Sequence, residues 1–435
     1  MVHADDPGAA GPLESLQRRL GFLDVYALAI GSVVGTGIFF LPGKAAAAMG
    51  PAAVLALMIG AGLAMLLALC YAEAASRFRG TGGAMRYAQA AFGDGIAFSV
   101  GWATWLARVV SWAALGNVFV TALVPLWPAA EGQRGVLTAA LFLGLTALNL
   151  RGVGFVGRAN TALTAAKLVP LLLFVGVGAW WIEPARFVPF APQGYSGLGA
   201  TTVLMLYAYV GFEGVVIPAA EMRDPQRNLP TALLLGMATV FVLYLSLWAV
   251  CTGTLPGLAG AEQPVGEAAA MVFGATGGAL VQAGVAISAL GINAFMALVT
   301  PRALYSLSVA GLMPPWVGAV GARHVPRRAI VITSAVAFAL ALTRSFEQLA
   351  VISVVARMAQ YVPTCLAVMR LRHLPAAPAA TFRVWGGPLL PCIAIATCGW
   401  LLLETPSDRL LWGALGIAAG VVPFVVWRAS GSRRR

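Results

Sequence analysis

Long apolar runs separated by short polar segments fill the chain from about residue 22 to residue 428. A helix of about 20 apolar residues can cross a bilayer, and twelve runs of roughly that length can be counted. The runs cover residues 22–48, 51–76, 96–125, 135–150, 159–182, 198–220, 229–254, 272–310, 328–344, 347–370, 387–404 and 409–428. The pattern predicts an all-α membrane protein with twelve transmembrane helices.

The segments between the runs are too short to fold alone, so we expect a single transmembrane domain over residues 22–428. An N-terminal tail (1–21) and a basic C-terminal tail (429–435) flank this domain. Residues 1–20 carry several charges and no apolar core, and we therefore expect no cleavable signal peptide there.

Composition narrows the class of function. Apolar residues make up 60% of the chain and charged residues 10%, against about 25% charged residues in soluble domains. The net charge of +12 is scattered between the apolar runs, which is typical of membrane loops rather than of nucleic-acid surfaces. The five cysteines form no CxxC pair, and no cluster of metal ligands or catalytic groups is visible. We expect no enzyme, no cofactor or metal, and no nucleic-acid partner.

Basic residues in the loops predict the orientation of the chain. With the N-terminus in the cytoplasm, twenty basic residues fall in cytoplasmic segments and five in outer segments. The five are Lys44, Arg134, Arg186, Arg344 and Arg409. The positive-inside rule then predicts that both termini are cytoplasmic. Short tails favour a multi-pass protein of a bacterial cytoplasmic membrane.

Two predicted spans contain glycines where a helix should be regular. The first has three glycines in residues 31–37, and the sixth has two glycines and a carboxylate in residues 207–214. Each interior glycine costs a helix about 1 kcal/mol relative to alanine, although small residues also allow membrane helices to pack closely. We interpret both stretches as helix breaks.

The positions of the two breaks suggest a repeat. Span 1 opens a block of five spans (22–182), and span 6 opens a second block of five (198–370). Interrupted spans at matching positions of two halves are typical of inverted-repeat transporters. We therefore predict a 5+5 inverted repeat with helices 1 and 6 broken, followed by two extra helices over 387–428.

A broken helix inside a membrane provides a binding site. Its freed N–H and C=O groups are tolerated only around a cavity or a ligand. A half-helix that begins at the break presents a positive end to a carboxylate, and the carbonyls that end the other half suit an ammonium. A site with both ends binds a zwitterion, so we predict an α-amino acid substrate, with small amines as the second choice.

Several stretches resemble a known family. The sequence GSVVGTGIF at 31–39 resembles the first-span motif of the amino acid–polyamine–organocation (APC) superfamily. The sequences YAYVGFE at 207–213 and EMRDPQRNLP at 221–230 resemble its sixth-span motif and the loop that follows. Residues 300–302 and 311–314 resemble the end of its eighth span. The resemblance covers roughly residues 20–372.

The resemblance implies a LeuT-like fold in which spans 1, 2, 6 and 7 form a mobile bundle against a scaffold of spans 3, 4, 5, 8, 9 and 10. The implied carboxylate site is the backbone of Gly35, Thr36 and Gly37. The implied ammonium site consists of carbonyls near Val33, Tyr207, Ala208 and Val210. Tyr207 is either an aromatic gate over the substrate or a core aromatic. With Met296 and Trp112 added, the expected pocket is mostly apolar, which favours a neutral or hydrophobic amino acid.

Lys167 lies in the middle of span 5, and only one other lysine, Lys44, occurs among 28 basic residues. A buried lysine can release its proton, whereas an arginine does not. The resemblance implies that this lysine occupies the position that sodium takes in sodium-coupled relatives. We predict that Lys167 is the proton-coupling group; the alternative is a fixed charge paired with a carboxylate.

Three further charges fall inside predicted spans, and each is costly unless it is paired or hydrated. Glu213 follows the break of span 6, and we predict a role in conformational or proton coupling, with a structural hydrogen-bonding role as the alternative. Arg108 in span 3 and Arg357 in span 10 need anions or water. Each arginine could pair with Glu213, line the outer or inner vestibule, or bind an acidic side chain of the substrate.

The sequence thus predicts a proton-coupled importer of amino acids that works by alternating access. Its expected partners are the amino acid, protons and the lipid bilayer, while its oligomeric state is not readable from the sequence. Two alternatives stay open. One is an amino acid/amine exchanger on the same fold, and the other is an amino acid sensor that does not transport.

Overall fold

The computed structural model describes residues 16–35, 37–124, 126–261, 263–321, 324–343 and 346–403, with a few positions between 410 and 424. Most of the predicted twelfth span (409–428), the basic tail and most of the N-terminal tail therefore lie outside the described residues.

The described residues form helices and turns, and their only β pairing is one isolated parallel bridge between Leu20 and Met222. The α-helices are α1 (Phe22–Val33), α2 (Gly37–Met49), α3 (Ala53–Ala75), α4 (Ala84–Phe92), α5 (Asp94–Leu123), α6 (Arg134–Asn149), α7 (Val153–Gly178), α8 (Leu198–Ala208), α9 (Pro225–Thr254), α10 (Pro264–Val309), α11 (Arg327–Thr343), α12 (Phe346–Leu371) and α13 (Leu389–Leu403). The all-helical class predicted from the sequence is confirmed over this part of the chain.

Five helical stretches of the described residues are long and apolar enough to cross a membrane. They are Leu41–Ala75, Asp94–Leu123, Gly157–Trp181, Pro225–Thr254 and Thr276–Val309. Phe22–Val33 and Leu389–Trp400 are apolar but shorter. Part of the difference between these five helices and the twelve predicted spans arises from the helix breaks, because a break divides an apolar run into pieces that are each too short to cross a membrane. The count of twelve spans and the inverted repeat stay predictions.

The first predicted span is interrupted near its middle. Helix α1 ends at Val33 and helix α2 begins at Gly37. Val34 leaves the helical conformation with φ −69° and ψ 82°, although its N–H still donates to the carbonyl of Ile30. The glycine-rich stretch at 31–37 therefore contains the interruption, in agreement with the prediction of a broken first helix.

The sixth predicted span, 198–220, is α-helical only in its first half. Helix α8 ends at Ala208, and two short 3-10 turns, Phe212–Gly214 and Ala219–Glu221, follow instead of a second half-helix. Two features account for the difference. Gly211 adopts φ +126°, which is outside the helical region, and Pro218 has no N–H to donate to a helix.

The helices pack in two groups. In the first group, α1 and α3 pack against α9, and α8 packs against α2 and α3. In the second group, α5 lies centrally between α10, α11 and α12, and α10 also packs against α7. The groups meet where α1 contacts α7 and where α2 and α9 contact α10. We call them the first and second helix groups.

Two features were not predicted from the sequence. Helix α4 occupies part of the segment between the second and third predicted spans, where only a loop was expected. Helix α10 begins at Pro264 rather than near 272, and it bends at Gly274, which has φ +74°. Helix α4 packs against α5 and α12 of the second group.

Gly211 provides a test of the described break. A Cβ at this position would overlap the carbonyl oxygen of Ser32, and its positive φ is strained for any other residue. We expect Gly211→Ala to destabilise the protein by about 1–3 kcal/mol, measured as a lower thermal unfolding midpoint in detergent. Gly62→Ala is the control, because nothing lies within 4 Å of a Cβ on that helical glycine. Equal midpoints for the two variants would contradict the described contact.

Candidate functional site

A small cavity lies where the interrupted first span meets the end of α8. Its volume is ≈ 50 Å³, far below the ~300 Å³ at the lower end of typical ligand sites. Its lining comprises Ser32, Val33, Gly35, Gly37, Ser111, Ala114, Leu115, Ala208, Val210, Gly211, Ile292, Met296 and Arg357. Both interrupted segments of the first helix group and three helices of the second group therefore surround one space.

The two interrupted segments touch each other directly. The backbone of Gly211 lies against the carbonyl of Ser32, and Gly37 faces Ala208. The hydroxyl of Tyr244 on α9 is 2.9 Å from the carbonyl oxygen of Val33 and 3.3 Å from that of Ala208. A phenol carries one proton, so its hydroxyl can donate to only one of these two carbonyls at a time. Tyr244 thus contacts both interruptions, the one after α1 and the one after α8.

Helix ends of opposite polarity converge on the cavity. Helices α1 and α8 end there, and their last carbonyls lack partners within the helix. Helix α2 begins there with Gly37, so its first N–H groups are the positive end of a helix. The N–H of Gly35 is already bonded to the carbonyl of Val33 at 2.7 Å. The geometry offers acceptors for a cation and donors for an anion within one small volume.

Lys167 of α7 lies at the end of α1. Its fully buried Nζ donates to the carbonyls of Gly31 (2.8 Å) and Val34 (2.5 Å). Ser288 of α10 donates to the same Val34 carbonyl at 3.3 Å. Among the described residues, no carboxylate forms an ion pair with Lys167. The amine is instead held at the negative end of a helix, where a positive charge would be stabilised.

Glu213 is the centre of a buried ion cluster. Its Oε1 pairs with a guanidinium nitrogen of Arg357 and lies 3.4 Å from Nη2 of Arg108, while its Oε2 accepts the N–H of Gly211 at 3.0 Å. Arg357 also donates to the hydroxyl of Ser111 at 2.9 Å. The cluster joins the segment after α8 to helices α5 and α12, and Arg357 and Ser111 bring it to the cavity wall.

Aromatic rings pack around Phe212, the residue next to Glu213. The ring of Phe212 stacks on that of Tyr361 at a centroid distance of 6.1 Å and meets Tyr71 edge-on at 5.7 Å. All three side chains are buried. In such surroundings an unbalanced charge is costly, because the ring atoms provide little polar compensation.

Two further buried carboxylates are fully engaged elsewhere. Glu221 forms a two-pronged ion pair with Arg302, which also donates to Asn149 at 3.1 Å. Glu73 pairs with Arg372 at 2.6 Å and with Arg77 at 3.4 Å. Neither network contributes a residue to the cavity lining.

Most of the backbone site implied by the resemblance surrounds the cavity. The liners among the implied residues are Val33, Gly35, Gly37, Ala208, Val210 and Met296. Thr36 and the side chain of Tyr207 lie outside the described residues. Trp112 does not line the cavity; its ring lies 4.9 Å from that of Phe142. Asn293 of α10 also lies outside the lining and donates to the carbonyls of Leu115 and Ala289.

Sequence reasoning missed Tyr244, Ser111 and Ile292. Tyr244 looks like any aromatic within an apolar span, and its role depends on two breaks that are distant in sequence. Ser111 has one usable signal, because it lies three residues after Arg108 and so on the same helix face. Ile292 fills the space beside Gly35, where a Cβ would lie 2.7 Å from its Cδ1. Nothing in a single apolar residue marks that contact.

A search for metal sites over the described residues finds no group of three or more His, Cys, Asp or Glu side chains that could hold an ion. The polar chemistry of the described site therefore consists of backbone groups, hydroxyls, one carboxylate and three basic side chains.

The sequence of this chain is similar to those of known permeases and transporters. The family described as amino acid permease matches residues 20–419. The branched-chain amino acid permease BcaP of Bacillus subtilis is 28% identical over 439 residues, covering 95% of this chain and 91% of that protein. The methylthioribose transporter of the same organism is also 28% identical, covering 95% and 94%. The chloroplastic cationic amino acid transporter 9 of Arabidopsis thaliana is 31% identical over 59% of this chain and 49% of that protein.

The ion cluster generates a prediction about stability. Glu213→Gln removes the carboxylate that two buried guanidinium groups share, and uncompensated buried charge costs about 3–5 kcal/mol. We expect a clear drop in the thermal unfolding midpoint in detergent. Glu131→Gln is the matched control, because Glu131 forms a salt bridge to Arg134 in which both side chains are substantially exposed. The midpoint of the control should stay near that of the unmodified protein. A Glu213→Gln midpoint equal to the control would exclude the described pairing.

Proposed function

The chain belongs to the amino acid permease family of the APC superfamily, and from that premise we propose that it imports an α-amino acid together with a proton by alternating access. It is a transporter rather than an enzyme. The observation that carries the proposal is the cavity at which α1 and α8 end and α2 begins.

The substrate backbone would lie between the helix ends. Its carboxylate would accept a hydrogen bond from the N–H of Gly37, at the positive end of α2; Thr36, the other donor implied by the resemblance, lies outside the described residues. Its ammonium would bind carbonyls at the ends of α1 and α8, including those of Val33 and Ala208. Tyr244 supports this step, because it bonds to these two carbonyls when no ammonium is present and can turn to one of them when it is.

Alternating access would occur between the two helix groups. The first group corresponds to the mobile bundle implied by the family resemblance, and the second group corresponds to the scaffold. Because the cavity is small in the described conformation, a substrate can reach it only if the groups separate on one side. Substrate and proton would bind from outside, and the rocking of the first group would then release them inside.

Lys167 would couple this movement to the proton. It belongs to the second group, yet its ammonium is bonded to two carbonyls of α1 in the first group. A protonated Lys167 bonds α1 strongly through charge-assisted hydrogen bonds, whereas a neutral amine would hold the same carbonyls more weakly. Gain and loss of one proton would thus tighten and loosen the contact between the two groups. Glu213, which pairs with Arg108 and Arg357 of the second group, would add a second charge-dependent contact between the two groups.

The lining of the cavity bears on which side chain the substrate carries. The apolar part of the lining, including Val210, Leu115 and Met296, suits the neutral or hydrophobic side chain predicted from the sequence. Arg357 and Ser111 add a polar end to the same cavity. The named substrates of the relatives, branched-chain amino acids, methylthioribose and cationic amino acids, differ too much to decide between these ends.

The proposed setting is a bacterial cytoplasmic membrane crossed by twelve helices with both termini in the cytoplasm. The five membrane-length helices of the described residues support a multi-pass protein. The orientation rests on the basic residues of the loops. Twenty of them lie on the proposed inner side of the membrane and five on the outer side.

The proposed coupling is tested with the only two lysines of the chain. We expect Lys167→Gln to abolish accumulation of amino acid driven by an imposed proton gradient in proteoliposomes, while exchange of internal for external amino acid continues. Lys44→Gln should accumulate normally, because Lys44 is exposed and outside the cavity lining. Undiminished uphill uptake by Lys167→Gln would refute the coupling role.

Transport itself is tested by two measurements on the purified protein. A screen of the twenty amino acids should find a ligand that raises the unfolding midpoint, because a ligand at about 100 times its Kd stabilises by about 2.7 kcal/mol. That ligand should then enter liposomes that contain no amino acid. Uptake that requires internal amino acid or amine would indicate an exchanger, and binding without any flux would indicate a sensor.

A further inference from the structure

The buried charges of the described residues do not balance. Five basic side chains are buried, namely Arg77, Arg108, Lys167, Arg302 and Arg357. Three carboxylates are buried, namely Glu73, Glu213 and Glu221. Glu73 and Glu221 are engaged by their own arginines. The cluster beside the cavity therefore has two guanidinium groups for one carboxylate and carries one excess positive charge.

Arg108 is the part of the cluster that lacks hydrogen-bond acceptors among the described residues. Its side chain is fully buried, and within the described part of the chain none of its three guanidinium nitrogens has a hydrogen-bond acceptor. Its one opposite charge is Glu213 Oε1 at 3.4 Å, an oxygen that is also bonded to Arg357. One carboxylate oxygen cannot satisfy two guanidinium groups, so the cluster keeps unused donors and positive charge with which a further anionic group could pair.

The excess charge reaches the cavity. Arg357 lines the cavity directly, and so does Ser111, whose hydroxyl accepts a hydrogen bond from Arg357 at 2.9 Å. A hydroxyl that accepts still has its own proton to donate. An anion at this end of the cavity would therefore find a guanidinium and a hydroxyl donor, and it would neutralise the cluster. The helix ends that would bind the substrate backbone border the same space.

We infer that the Arg357 end of the cavity binds an anionic side chain, so that the transported substrate is a short acidic amino acid of the aspartate or glutamate type. The inference rests on the proposed function, and it replaces the neutral or hydrophobic preference predicted from the sequence. Once bound, the side-chain carboxylate brings the arginine cluster to two positive and two negative charges.

The test compares acids with their amides, which have nearly the same shape. We expect aspartate and glutamate to bind the purified protein roughly 10- to 100-fold more tightly than asparagine and glutamine, as a lost charge-assisted hydrogen bond predicts. Binding is measured by displacement of labelled acid and by the unfolding midpoint. Uptake of the same four compounds into proteoliposomes is measured in parallel, in chloride and in gluconate buffers.

Arg357→Gln should reduce the acid-over-amide ratio to near one while the amide still binds. This variant is expected to fold, because it leaves Arg108 and Glu213 as a balanced pair. Arg357→Lys, which keeps the charge, should retain part of the preference. Arg134→Gln removes an exposed arginine from the surface pair with Glu131, and it should keep the full ratio.

Three outcomes would overturn the inference. If amides or leucine bind better than the acids and are transported, the substrate class is wrong and the transporter function stands. If neutral amino acids require chloride, the anion at Arg357 is inorganic rather than part of the substrate. If no amino acid binds or is transported, the proposed function fails as well.

Discussion

A polypeptide chain that leaves the helix in apolar surroundings must find partners for its N–H and C=O groups, because no water is available there. The interruption after α1 meets this requirement with side chains from three different helices. Lys167 of α7 takes the carbonyls of Gly31 and Val34, Tyr244 of α9 takes that of Val33, and Ser288 of α10 shares Val34. The conformation of the break is therefore determined by the relative positions of these helices.

These contacts fall into two kinds. Tyr244 belongs to the same helix group as the backbone that it bonds, so it strengthens one group internally. Lys167, Arg108 and Arg357 belong to the second group and bond to α1 or to Glu213 in the first. The contacts between the groups thus include charged side chains as well as the neutral hydroxyl of Ser288, whereas the contact of Tyr244 within the first group is neutral. A proton or a charged ligand can change the former without dissolving the latter, as a switch between two packed arrangements requires.

The sequence predicted best the features that depend on neighbouring residues or on composition. Three glycines in seven residues located the first break, and the scarcity of lysine singled out Lys167. The failure of α8 to resume as a helix was not predictable, because it depends on Gly211 packing against Ser32, 179 residues earlier in the chain. The sharing of Glu213 by two arginines is equally non-local. Such contacts leave no periodic pattern in the sequence, since each involves single residues on separate spans.

The walls of the cavity differ in how easily they can move. The polar groups are backbone carbonyls, helix termini and arginines, and the ion cluster and the break hold them in place. Among the apolar liners, Met296 is an unbranched, flexible side chain that can change rotamer at low cost, whereas the β-branched Ile292 is stiff at χ1. Enlarging the cavity therefore alters its apolar walls first, and the charged groups keep their spacing. For the proposed substrate we therefore expect discrimination by charge to be stricter than discrimination by size, because an unpaired ion in these surroundings costs more than an imperfect apolar contact.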